Sequence, residues 1–359
     1  MNGRTKPSRA RTRSRFASAL APVLAIAAVL VGPGAARAEA DPSAVERAVA
    51  ALIDRDRPQE IDDAEIERRR ALVEPVAEDD PGNWRFALAM AALEQYAGNG
   101  SASLEWAERA VDASPRRADA HYAHGMALLL TVEDVSIFRK MGRAKAARDA
   151  WEEAVRLDGE HAPARLALAG FYLFAPGIAG GDADLGQEHA RALTNIDGWG
   201  HLGHVLMGTH AAREEEWREM RGHFTAAEQA AEDPGDRDEA VRAHVFALLR
   251  QKEDASAAKR EALAALERHD DAGPTVRYAL AEAHRALGEW ADAEDAYRAV
   301  LDASDEAPNS IVGLGLVLSE QGDHAGAAAA FERYLREHPE GSRIEEARDG
   351  LRRARRAVR

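Results

Sequence analysis

Residues Pro274–Ser304 read "PTVRYALAEAHRALGEWADAEDAYRAVLDAS". Residues Pro308–Pro339 read "PNSIVGLGLVLSEQGDHAGAAAAFERYLREHP" and repeat the same pattern 34 residues later. Leu280-Ala281 aligns with Leu314-Gly315, Gly288 with Gly322, Ala293 with Ala327, and Tyr297 with Phe331. Each position has a physical reason. Ala281/Gly315 and Ala293/Ala327 are small where two helices approach closely, and a larger side chain would push them apart. Tyr297 and Phe331 fill the space against the next unit. Gly288 and Gly322 close a helix, where a left-handed residue costs least without Cβ. Pro339 is a stop signal.

Two helices in 34 residues, with these small positions, resemble the tetratricopeptide repeat. Applied upstream, the template starts repeats near Trp84, Ala118, Ala162, His201 and Arg237, the last matching weakly. The steps from Ala118 to Ala162 and on to His201 exceed 34 by ten and five residues. Insertions in a repeat array map to loops. Period-two runs of Val, Ile, Thr and Tyr are missing, so the chain reads as all-α. The resemblance implies an α-solenoid, a right-handed superhelix of antiparallel helix pairs with a C-terminal capping helix. The expected divisions are a cleaved leader at 1–38 and N-terminal helices at 39–83, a possible degenerate repeat. Six to seven repeats follow at 84–341, with insertions near 131–142 and 175–181, then a cap and basic tail at 342–359. In the cap, Ser342 and Glu345 form a capping-box pattern.

The leader has three parts: six basic residues within 1–16, an apolar run from Ala19 to Val31, and the small-x-small site Ala36-Arg37-Ala38. Thirteen apolar residues are too few to span a bilayer. Export follows as an expectation: a soluble periplasmic protein if the cell is Gram-negative, with no stable membrane insertion after cleavage. The chain contains no cysteine, which excludes a lipid-modified cysteine, disulfides, thiol catalysis and covalent haem. Its net charge is −15; residues 1–38 hold seven Lys/Arg and no Asp/Glu, so their removal leaves −22. Such a chain repels phosphate backbones, so no nucleic-acid partner is expected.

"FYLFAPGIAGGDADLG", Phe171–Gly186, is dense in glycine and aspartate. A phosphate loop needs Lys-Ser/Thr after its last glycine, but Asp182 follows Gly181. The calcium pattern starts at Asp182 and Asp184 but places Gly186 at the third ligand. The segment reads as an enlarged turn, with Pro176 ending one helix and Asp182 or Asp184 capping the next. Residues 135–193 also resemble a variant seen in exported bacterial tetratricopeptide proteins of undefined role, which implies no activity. His201, His204 and His210 are weak metal candidates, and packing histidines are the commoner explanation. Ser256-Ala-Ala-Lys259 lacks the companion motifs of serine acyl-enzymes. No catalytic residues and no cofactor are expected. The insertion "LTVEDVSIFRKMGRAK" carries Ile137, Phe138 and Met141, either a helix packing on the array or a contact patch for a partner.

In the family the resemblance names, the first helix of each repeat lines a concave groove. Carried onto this chain, that implies a partner surface containing Tyr122, Met126, Leu129, Leu173, Phe174, Tyr278, Glu282, Arg285, Asn309 and Val312. Some of these apolar residues are equally well covered by the insertion or the N-terminal helices. The expected function is a non-catalytic scaffold or adaptor that binds a protein or peptide in the cell envelope, in assembly or transport. Two rivals stand beside it: a solute-handling partner subunit of a periplasmic transporter, marked by inward arginines, and a histidine-based metal protein.

Overall fold

The structure is a computed structural model that describes residues 44–53, 63–132, 137–251, 254–304, 307–339 and 341–358. The leader lies outside them. Regular structure among the described residues is seventeen α-helices and one 3-10 turn, with no strand. The chain divides into two compact units, Met1–Leu206 and Met207–Arg359.

In the first unit, α1 (Ala44–Ile53) and α2 (Asp63–Asp79) precede α3 (Trp84–Tyr96) and α4 (Gly100–Ala113). Next come α5 (Ala118–Leu130), α6 (Ile137–Leu157), α7 (Ala162–Phe174) and α8 (Ala183–Leu193), and the unit ends inside α9 (Gly200–Arg213). The pairs α3/α4, α5/α6 and α7/α8 pack as hairpins, and α3 also packs on α5. Both α1 and α2 pack on α3, as α3 and α4 in turn pack on α5. Side-chain caps open these helices: Asn83 accepts from Arg85 N–H and Asn99 from Ala102 N–H. Within α5/α6, Gly125 leaves room for the fully buried ring of Trp151.

Two insertions take different forms here. The second helices α4, α10, α12, α14 and α16 each have 14 residues, whereas α6 has 21. The surplus of the second repeat is therefore largely two extra turns of one helix, which starts at Ile137. Residues 133–136 lie outside the described residues. The third repeat's surplus is the turn from Ala175 to Asp182. Asp182 caps α8, accepting from Asp184 and Leu185 N–H. Its own N–H donates to Tyr172 O, and Gly181 N–H donates to Pro176 O, so the turn is folded back on α7. A Cβ on Gly181 would collide with the Ala175 carbonyl, which explains a glycine there.

The second unit runs from the rest of α9 through α10 (Trp217–Ala230), α11 (Pro234–Arg250), α12 (Ala255–Arg268) and α13 (Pro274–Leu287). It continues with α14 (Trp290–Ala303), α15 (Pro308–Glu320), α16 (His324–Glu337) and α17 (Ile344–Ala357). The first helices α11, α13 and α15 pack on one another in sequence. Ala281, Ala293, Ala327, Tyr297 and Phe331 have no exposed surface. A Cβ on Gly315 would stand 2.8 Å from Phe331 Cε1. Gly288 and Gly322 are left-handed, with φ of 72° and 84°.

The capping box at Ser342 does not form. Arg343 takes the N-cap position of α17 without a side-chain cap bond. Its N–H donates to the Tyr334 hydroxyl (2.9 Å), and its guanidinium donates to Glu346 and to the Asn309 carbonyl. A buried phenol thus fixes the helix start one residue later than the motif places it. The amphipathic stripe is present: Ala347 and Ala354 are buried against the core of α15 and α16.

Candidate functional site

The sequence-derived surface residues fall into two groups, one in each unit. In the first, Tyr122 on α5 is half-buried, its ring 5.4 Å from that of His161. Burial pushes its hydroxyl pKa up to about 12. His161 is fully buried and caps α7 through its ring: Nδ1 accepts from Ala164 N–H, and Nε2 lies 3.2 Å from Asp119. Because Nδ1 accepts, Nε2 is the nitrogen that carries the proton toward Asp119. Met126, Leu129, Leu173 and Phe174 are all buried. Leu173 lies against Gly186 of α8. Those four residues serve the core in this state, which leaves Tyr122 as the reachable member of the group.

The second group centres on Tyr278 of α13, which is half-buried. Its ring lies 5.9 Å from Phe246 of α11 and 6.2 Å from Tyr297 of α14. Glu282, one turn along α13, is buried and fully engaged. It accepts from the Tyr297 hydroxyl at 2.6 Å and from Arg285 Nη2 and Nε at 2.6 and 3.1 Å. Burial alone would lower the Arg285 pKa, but Glu282 outweighs it and the guanidinium is held more firmly charged than usual. Burial first, then the Glu282 carboxylate, push the Tyr278 hydroxyl up to about 12, against the pull of Arg343, Arg242 and Arg285. Asn309 is exposed and Val312 is fully buried.

Three arginines thus act on one phenol. Each is also tied to a carboxylate: Arg242 to Glu239, Arg285 to Glu282, and Arg343 to Glu346. Arg242 lies over the Phe246 ring at 5.8 Å. The charge of these arginines is balanced internally. A planar guanidinium carries five N–H donors and can still serve a partner beyond its own carboxylate.

Arg242, Phe246 and Arg343 were not anticipated from sequence. The 34-residue template started the fifth repeat at Arg237, whereas α11 begins at Pro234 after the cap Asp233. That Asp-Pro pair is a helix-start signal in its own right. Of the insertion residues, Ile137 opens α6 and Phe138 follows it, with side chains outside the described set, and Met141 is half-buried. On α9, His201 and His210 are buried and His204 is half-buried. His201 and His210 are nine residues apart, about 180° around the helix, so the three cannot converge on one ion.

A tetratricopeptide-repeat family model matches residues 246–310 and 278–342, which include Phe246 and Tyr278; Arg343 directly follows the matched stretch. Residues 246–342 thus carry tetratricopeptide repeats. The crystal structure of yeast Tom70 shares its fold with a TM-score of 0.67 at 14% identity, covering 94% of this chain and 69% of that one. A tetratricopeptide repeat protein from Parabacteroides merdae ATCC 43184 aligns at 12% identity over 86% of this chain and 99% of its own, with a TM-score of 0.44. PilF of Pseudomonas aeruginosa aligns at 16% identity over 76% and 99%, with a TM-score of 0.37. A search of curated proteins finds no match. No helix among the described residues of the repeat protein is long and apolar enough to cross a membrane.

Proposed function

We propose that this chain is a non-catalytic scaffold that binds a protein or peptide partner through its row of first helices, chiefly α11, α13 and α15. One observation carries the reading. Tyr278 and Phe246 are stacked, half-buried aromatics on adjacent first helices, with Arg242, Arg285 and Arg343 around them. Tyrosine and arginine are enriched among the few residues that dominate binding energy at protein interfaces. The pair is fixed in place before a partner arrives, so little side-chain entropy is lost on binding.

The leader supports an envelope setting, and we place the mature protein in the periplasm of a Gram-negative cell. Its acidity suits a soluble adaptor there. The test is a pull-down from envelope extract with the wild type and with the triple variant Arg242→Glu, Phe246→Ala, Tyr278→Ala. Partners retained by the wild type and lost by the variant, at equal fold by circular dichroism, support the reading. Identical partner sets from both proteins reject it.

A further inference from the structure

The second unit holds a cluster that the repeat pattern does not require. His284 lies in the last turn of α13, and Glu289 stands at the N-cap of α14 with Asp292 in the first turn. Gly288, left-handed at φ 72°, closes the turn between them. His284 Nδ1 is 2.6 Å from Glu289 Oε2 and 3.9 Å from Asp292 Oδ2. One donor atom from each of the three residues lies within 4.8 Å of the others. Lys259 of α12 holds Glu289 from another side, at 2.9 and 2.8 Å from its two oxygens.

The next repeat shows what the fold itself needs at these positions. Thirty-four residues on stand Leu318, Asp323 and Gly326. Leu318 is simply buried, and Asp323 caps its own helix by accepting from Gly326 N–H. Glu289 makes no such cap. Its carboxylate turns back toward the His284 imidazole instead, and that imidazole is 8% exposed where its counterpart is an aliphatic side chain. A buried imidazole facing two carboxylates across a tight turn gives up a packing residue and a helix cap. What it gains in return is the hydrogen bond between His284 and Glu289, which joins α13 to α14.

We propose that His284, Glu289 and Asp292 form a binding site for one divalent transition-metal ion of the zinc class. An imidazole nitrogen with two carboxylate oxygens suits zinc, cobalt or nickel, whereas calcium and magnesium favour oxygen donors alone. Three protein donors leave a coordination position for water or for a side chain of a partner. Lys259 neutralises one of the two carboxylates and restrains Glu289 from outside the donor set. This site is independent of the partner-binding reading.

The test is isothermal titration of the full metal-free chain with zinc chloride, in parallel with His284→Leu and Asp292→Asn. Leucine is what the next repeat carries at this position, so the first variant keeps a side chain the hairpin accommodates. Asp292 is exposed, so the second leaves the core untouched. The wild type should bind one zinc per chain, and each variant should lose at least about ten-fold in affinity. The proposal is overturned if the wild type binds no zinc, or if both variants bind it as the wild type does. Calcium binding at the same affinity as zinc would also overturn the assignment of ion class.

Discussion

Among single residues, Glu282 carries the most consequence. It is a buried carboxylate satisfied by one phenol and one guanidinium, where the next repeat carries the apolar Leu316. Removing the Tyr297 hydroxyl in Tyr297→Phe should cost about 1–3 kcal/mol, because a buried acceptor loses a partner. Replacing Arg285 with Met should cost more, about 3–5 kcal/mol, because the remaining charge is left uncompensated. Urea denaturation of both variants checks the order. Equal, negligible losses would mean that Glu282 is not buried as charge.

Histidines set the pH response at the same scale. Burial lowers the pKa of His124, His189 and His244 in the folded chain. The unfolded chain therefore takes up protons first as pH falls through about 6.5, and stability drops there. Above that pH all three are neutral in both states and the effect is absent. The urea midpoint should be lower at pH 5.5 than at 7.5, and His244→Leu should flatten the difference. A midpoint independent of pH over that range would contradict this account. Glu289 adds a second loss at lower pH, because Lys259 and then His284 hold its carboxylate below the usual range.

Elements show why parts of the fold were legible and others were not. Helix starts at Trp84, Ala118 and Ala162 coincide with the repeat starts, because small residues recur wherever two helices touch. The fifth repeat has no glycine stop after its first helix, so the template slid three residues past the Asp233-Pro234 start. The insertion after α5 reads as a loop by period counting. Its residues Arg139, Lys140, Met141, Arg143 and Ala144 are good helix formers, and they extend α6 across Gly142 instead. The His284 cluster has spacings of five and three residues across a helix break, so no helical-face pattern reveals it. The turn at Gly180 was legible because Asp182 caps, and Asp182→Ala should cost about 1 kcal/mol of stability. Thermal denaturation checks that figure; no loss would mean the turn is held by its backbone bonds alone.

At the scale of the whole molecule, the described residues form helix hairpins such as α3/α4, α5/α6, α7/α8, α13/α14 and α15/α16. Stability in such arrays is nearly a sum of local and nearest-neighbour contributions. Phe331 is fully buried and meets both Gly315 and Gly350, so it joins α15, α16 and α17. Phe331→Ala should cost about 3–5 kcal/mol locally. Amide exchange should then accelerate across α15–α17 and stay slow in α3–α5. Uniform acceleration over both units would instead mean that the chain unfolds as one cooperative body.

The central claim is that first helices, and Tyr278 above all, meet a partner. Photo-crosslinking in the envelope from Phe246 and Tyr278, with Asp295 and Ala329 on second helices as controls, tests it most directly. The account predicts that the first pair captures one common protein and the controls do not. Capture of the same protein from all four positions, or from none, would contradict it.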